Sequence, residues 1–180
     1  PAFSLKPEVA GDGINKDMAT ILRDDPDAVL LLTGHSLGGA AATLFAERLV
    51  SMGIPKEKVP VITFGAPAIG NAAFAEAYGD KIDLLRIKTS HDPIPGGLQT
   101  FIGGFQHFGR EKVFTLSSSF ADYQHPVSYY FDLAVKNYYE AYDRAIAAGI
   151  LNAQPDKKIT NEEPLVAIVV GASRNIQSRP

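Results

Sequence analysis

Ala28-Val-Leu-Leu-Leu-Thr-Gly-His-Ser-Leu-Gly-Gly-Ala-Ala-Ala42 decides how the rest of this chain is read. Val29 to Thr33 is an unbroken apolar run ending in a β-branched residue, which predicts a buried strand. Gly34-His-Ser-Leu-Gly38 follows without a spacer. From Leu37 the sequence turns Ala- and Leu-rich, which predicts a helix to about Met52, closed by Gly53.

Gly-x-Ser-x-Gly between a strand and a helix has a steric logic. A serine at the tip of so sharp a turn sits in a strained backbone conformation, and its neighbours two before and two after are crowded. Gly34 and Gly38 carry no Cβ to clash there. Ser36 Oγ is then presented at the top of a sheet, beside the unpaired N–H groups of a helix N-terminus. This is the setting of a nucleophile elbow, with the Leu37 N–H as one donor to a developing oxyanion.

Working outward, Ile14, Met18, Ile21 and Leu22 recur at helical spacing and predict a helix over about Asn15–Arg23. Downstream, Val59–Phe64 predicts a second strand, which runs into Gly65-Ala66-Pro67. Asn71 is placed to cap a short helix through Tyr78. Ile82–Thr89 predicts a third strand, and Ser90-His-Asp-Pro-Ile-Pro95 ends it because proline cannot continue a ladder. Gly96–Gly109 reads as loop, with Phe101, Phe105 and Phe108 exposed. Lys112–Leu116 predicts a fourth strand, Ser117–His125 a polar loop, and Pro126–Ala148 a long helix with Tyr130, Ala134, Tyr138, Ala141, Tyr142 and Ala145 on one side. A charged linker follows Leu151, and Leu165–Val170 predicts a last strand. Strands alternating with helices imply an α/β protein with a mostly parallel sheet, whose active residues lie on loops at the carboxyl ends of strands.

Composition limits the alternatives. The 180 residues suffice for one domain with a core, and 46% hydrophobic and 21% charged residues are ordinary for a globular chain. A net charge of −3 gives no basic footprint for nucleic acid. No apolar run approaches the length of a membrane span. The lack of cysteine excludes disulfides and thiol catalysis and leaves the compartment open, with secretion favoured. The four histidines are too dispersed to suggest a metal site, and no cofactor is implied, since acyl chemistry needs only protein groups.

A serine needs a base and a carboxylate that orients it, and after such an elbow they come in the order Ser, Asp or Glu, His. Asp92 follows the third strand in a proline-stiffened loop; Asp80, Asp83 and Asp122 are less well placed. For the base, His125 lies beyond a strand end, and His107 precedes that strand and is the alternative. His35 adjoins the nucleophile and cannot reach its Oγ in base geometry.

Three segments in order closely resemble the class 3 (fungal-type) lipases, a branch of the α/β-hydrolase superfamily: Thr33-Gly-His-Ser-Leu-Gly-Gly-Ala40, Phe64-Gly-Ala-Pro-Ala-Ile-Gly70 and Asp92-Pro-Ile-Pro95. Phe105-Gln-His-Phe-Gly-Arg-Glu111 is similar to a family segment whose histidine is not catalytic, and His125-Pro-Val-Ser-Tyr-Tyr130 fits the segment that carries the catalytic one. The resemblance, over about Asn15–Tyr142, implies an α/β-hydrolase-type sheet with flanking helices and a serine esterase or lipase acting on carboxylic esters, with a lipid or ester substrate met at a lipid–water interface. It supports Ser36, Asp92 and His125 as triad and Leu37 as oxyanion donor. His35, Ile94, Leu98 and Phe101 are candidate substrate contacts. The family's N-terminal strands, lid and second oxyanion segment are not visible in Pro1–Lys16. Residues 1–180 are therefore expected to form the C-terminal part of a single domain, completed by a missing N-terminal segment or a second chain.

Overall fold

The computed structural model describes residues 12–101, 103–115 and 123–151. The expected linker and strand beyond Leu151 lie outside these residues. Five helices longer than one turn and four strands alternate. They are α1 (Asp12–Asp24), β1 (Leu32–His35), α2 (Leu37–Ser51), β2 (Val61–Phe64), α3 (Ala72–Tyr78), β3 (Leu84–Thr89), α4 (Ile94–Phe101), β4 (Arg110–Phe114) and α5 (Val127–Ala147). The strands pair in parallel in the order β1-β2-β3-β4, with Leu32 opposite Val61, Val61 opposite Leu84 and Leu85 opposite Arg110. All four carboxyl ends consequently face the same way, and the segments that follow β1, β2 and β3 meet there.

The core lies between α1, α2 and the sheet. Leu22 of α1 and Phe45, Ala46 and Leu49 of α2 pack with Leu32, Val61 and Leu84 from three strands, and Ile54 and Val59 close the cluster. The alanines of α2 serve close approach: Ala42 and Ala46 are buried, and a Cβ on Gly39 would stand 2.7 Å from that of Ala66.

Three expectations need correction. The first strand begins later than the apolar run suggests. Only Leu32 to His35 is strand, while Val29 and Leu31 are 61% and 54% exposed. The physical reason is the pleat: exposed Val29 and Leu31 alternate with half-buried Leu30 and buried Leu32, so the run that reads as buried is covered on one face among the described residues. Second, the loop predicted from Gly96 contains α4. Proline is tolerated in a first helical turn, and Asp92 Oδ1 accepts the Ile94 N–H at 2.9 Å, satisfying one of the helix's free donors. Third, Phe108, expected at the surface, packs against the core cluster. On α5, Tyr130 and Leu133 are buried, whereas Tyr138 and Tyr139 stand 57% and 58% exposed.

Candidate active site

Ser36 ends β1 and caps α2 with φ 56° and ψ −128°, the one non-glycine residue with positive φ among those described. Such a conformation costs about 1–3 kcal/mol and persists only where its surroundings impose it. They do so here. The Ser36 N–H is tied to Phe64 O at 2.9 Å, and Ser36 O accepts from Gly39 N at 3.0 Å. A Cβ on Gly34 would fall 2.6 Å from Gly39 N and closer still to the Gly38 carbonyl, so only glycine fits. Among the described residues no acceptor takes the Leu37 N–H, which leaves it free at the helix N-terminus beside Ser36 Oγ.

His125 lies two residues before α5, ahead of its capping Pro126. Its Nε2 lies 2.9 Å from Ser36 Oγ, and its Nδ1 lies 2.9 and 3.0 Å from the two carboxylate oxygens of Asp92. The Asp92 side chain is fully buried and that of His125 is 13% exposed. A buried carboxylate against Nδ1 fixes the imidazole's tautomer, with Nδ1 donating and Nε2 free to accept the serine proton. Serine, histidine and aspartate thus meet from the ends of β1, the start of α5 and the end of β3.

His107 is engaged elsewhere. Its Nε2 donates to Pro95 O at 2.6 Å, and burial, with help from the nearby Arg86 charge, lowers its pKa despite the carbonyl bond that raises it. Four residues on, Glu111 pairs with Arg86 and Lys88 at 3.0 and 3.1 Å, and Arg86 Nε donates to Phe108 O. Gly109 between them has φ 77°, and a Cβ there would meet Leu84 O at 2.7 Å. The Phe105–Glu111 segment is in effect a brace that fastens the start of α4, and with it the Asp92 loop, to β3.

His35 turns its Nε2 to the His125 carbonyl at 2.7 Å, with the two rings 4.6 Å apart. Burial lowers its pKa, keeping it a neutral donor. Ile94 is half-buried at the head of α4, and Leu98 and Phe101 follow on that helix at i+4 and i+7. Two residues escaped the sequence reading. Gly65, with φ 59°, lies against the Asp92 carboxylate, and a Cβ there would come within 2.5 Å of its Oδ2. Tyr130 donates from its hydroxyl to the same oxygen. Gly65 lay in the strand-end turn already noted; nothing in the spacing of α5 singled out one tyrosine among its neighbours.

A parallel sheet with flanking helices and a strained serine at a strand-to-helix turn define an α/β-hydrolase-type protein. The family model for lipase (class 3) matches residues 4–99, and the chain belongs to that family. It is 34% identical over 84 residues to secreted mono- and diacylglycerol lipase A of Penicillium cyclopium, covering 47% of this chain and 27% of that protein. It is 44% identical over 69 residues to phospholipase A1-II 1 of Oryza sativa, covering 37% and 18%. Among solved structures, it superposes with a TM-score of 0.55 on a triacylglycerol lipase whose catalytic centre is a serine protease triad. The identity there is 30%, over 62% of this chain and 43% of that one. The chain thus spans less than half the length of each of these relatives.

Proposed function

We propose that this chain carries the catalytic centre of a serine hydrolase that cleaves carboxylic esters of lipids. The observation that carries the reading is the continuous line of contacts from Ser36 Oγ through the His125 ring to the buried Asp92 carboxylate. In this reading His125 Nε2 takes the Ser36 proton as Oγ attacks the ester carbonyl, and Asp92 stabilises the imidazolium. The oxyanion is met by the Leu37 N–H. Collapse of the tetrahedral intermediate breaks the ester C–O bond, and Nε2 returns the proton to the departing alcohol. Water then attacks the acyl-serine with its proton passing to Nε2, and release of the acid restores Ser36.

Ser36→Ala should lower kcat on short p-nitrophenyl esters by on the order of 10⁴–10⁶, and cleavage at the parental rate would refute the proposal. His125→Ala should be as damaging, whereas His107→Ala should leave most of the activity. Labelling of Ser36 by a fluorophosphonate separates a hydrolase from a lipase-like interaction domain, which would not react.

The likeness to a mono- and diacylglycerol lipase and to a phospholipase A1 supports neutral glycerides and phospholipids as two substrate classes, to be separated by profiling both. The name of the Penicillium relative favours secretion. His35, Ile94, Leu98 and Phe101 belong to the acyl-binding side of the site in this reading, with His35 also holding the base's backbone. Residues 1–180 are read as the C-terminal part of one α/β-hydrolase domain. The open, apolar edge of β1 then takes a further strand, from an N-terminal segment or a second chain. Substrate is met at a lipid–water interface. No helix among the described residues is long and apolar enough to cross a membrane.

A further inference from the structure

The aspartate of the site is held by more than the histidine it orients. A buried carboxylate keeps its charge only if its lone pairs are filled. Ile94 N donates to Oδ1 at 2.9 Å, and both oxygens face His125 Nδ1. What remains of Oδ2 is filled by the Tyr130 hydroxyl. The direction of that bond is fixed. A carboxylate only accepts, and Tyr130 Oη itself accepts the Thr89 N–H at 3.2 Å, so its proton is left for Asp92.

The tyrosine is built into this position. It is 1% exposed, with its ring edge-on to Phe64 at 6.0 Å and 5.7 Å from the His35 ring. Space for the hydroxyl exists because residue 65 is glycine: a Cβ there would stand 2.9 Å from Tyr130 Oη and 2.5 Å from Asp92 Oδ2. Burial, and then the bond to Asp92, raise the phenol's pKa, so it stays a donor at every pH at which the protein would work.

We propose that Tyr130 is a positioning residue of the triad: its hydroxyl pins Oδ2 of Asp92, holds the carboxylate in line with His125 Nδ1, and shares its negative charge. The inference rests on the hydrolase reading and deepens it. Tyr130 acts through Asp92 and not on the substrate.

Tyr130→Phe keeps the ring and its packing and removes the donor to Asp92, together with the acceptor of the Thr89 N–H. Its kcat should fall by on the order of 10-fold, with KM nearly unchanged. The acid limb of its kcat/KM profile should move to higher pH. Without the phenol donor the negative charge on Asp92 is less stabilised, and the Asp92–His125 pair takes up a proton more readily, whichever partner holds it. Among the described residues, the other titratable groups beside the pair are His35, whose ring lies tilted against that of His125 at 4.6 Å, and Tyr123, whose ring is 6.0 Å from that of His125; His91 is bonded to Ser90 Oγ. In an Asp92→Asn background the same change should cost almost nothing further.

The low-field proton resonance of His125 Nδ1 gives a readout that needs no turnover. It should shift in Tyr130→Phe and vanish in Asp92→Asn. A Tyr130→Phe enzyme with parental kcat and an unmoved acid limb, an undiminished effect in the Asp92→Asn background, or an unshifted resonance would each overturn the inference. Activity that survives Ser36→Ala would sink the hydrolase reading instead, and the resonance would still decide the role of Tyr130.

Discussion

At the residue scale, the motif and its partners differ in how they can be read. Gly34 and Ser36 announce themselves, because a short-range steric demand leaves a short-range pattern. The structure adds Gly39 and Gly65, whose smallness answers contacts across 27 residues in each case, Ala66 for the one and Asp92 for the other. Distant contacts of that kind leave no spacing to find. His107 illustrates the reverse. It reads as a rival base and is instead a half-buried donor to Pro95 O. Its folded pKa is lowered, chiefly by burial, so below about pH 6.5 the unfolded chain binds a proton that the folded chain does not. Stability is therefore full above that pH and declines as pH falls, until His107 titrates in the fold as well. His35, also lowered, adds to the same slope. His107→Asn, which retains a donor, should flatten the decline between pH 7 and 5 in urea unfolding. Identical slopes for parent and variant would rule the contribution out.

At the element scale, strands and long helices were legible and α4 was not. Two glycines and two prolines in nine residues argue for a loop by every local propensity. Yet Asp92 ties down the first turn, and the His107 bond to Pro95 O fixes it from outside. Tertiary contacts thus override a poor local sequence, and the glycines remain a cost. A Cβ on Gly97 would meet nothing within 4 Å, and the residue is helical. Gly97→Ala should consequently raise stability by about 0.5–1 kcal/mol, seen as a higher Tm in thermal melts. A lower Tm would mean that the helix needs glycine's freedom there. The strand ends were legible only to within two or three residues, because an apolar run marks burial and not the span of a ladder: β1 starts three residues after Val29, and β4 two before Lys112.

At the scale of the molecule, the two edges that the sheet has among the described residues are unlike. β4 presents Arg110, Glu111 and Lys112, all exposed, a charged border that discourages further pairing. β1 is preceded by Val29 and Leu31, more than half exposed and uncharged, and among the described residues no strand lies beyond it. An edge of that kind invites pairing with another chain. The 180-residue chain by itself should self-associate in sedimentation velocity runs, and Leu31→Lys should shift it toward monomer. A chain that stays monomeric at high concentration, or a variant that associates as strongly as the parent, would count against an open edge. The class of fold could be read from the alternation of strands and helices; this asymmetry could not, since it depends on which strand ends up outermost.

The long helix α5 is anchored unevenly. It spans 21 residues, about 30 Å, but its buried residues, Tyr130 and Leu133, belong to its first two turns. His125, just ahead of the helix, and Tyr130 are therefore both carried by its N-terminal end, where its buried side chains are gathered among the described residues. A displacement of that end would detach both from the strand-borne serine and aspartate in a single movement.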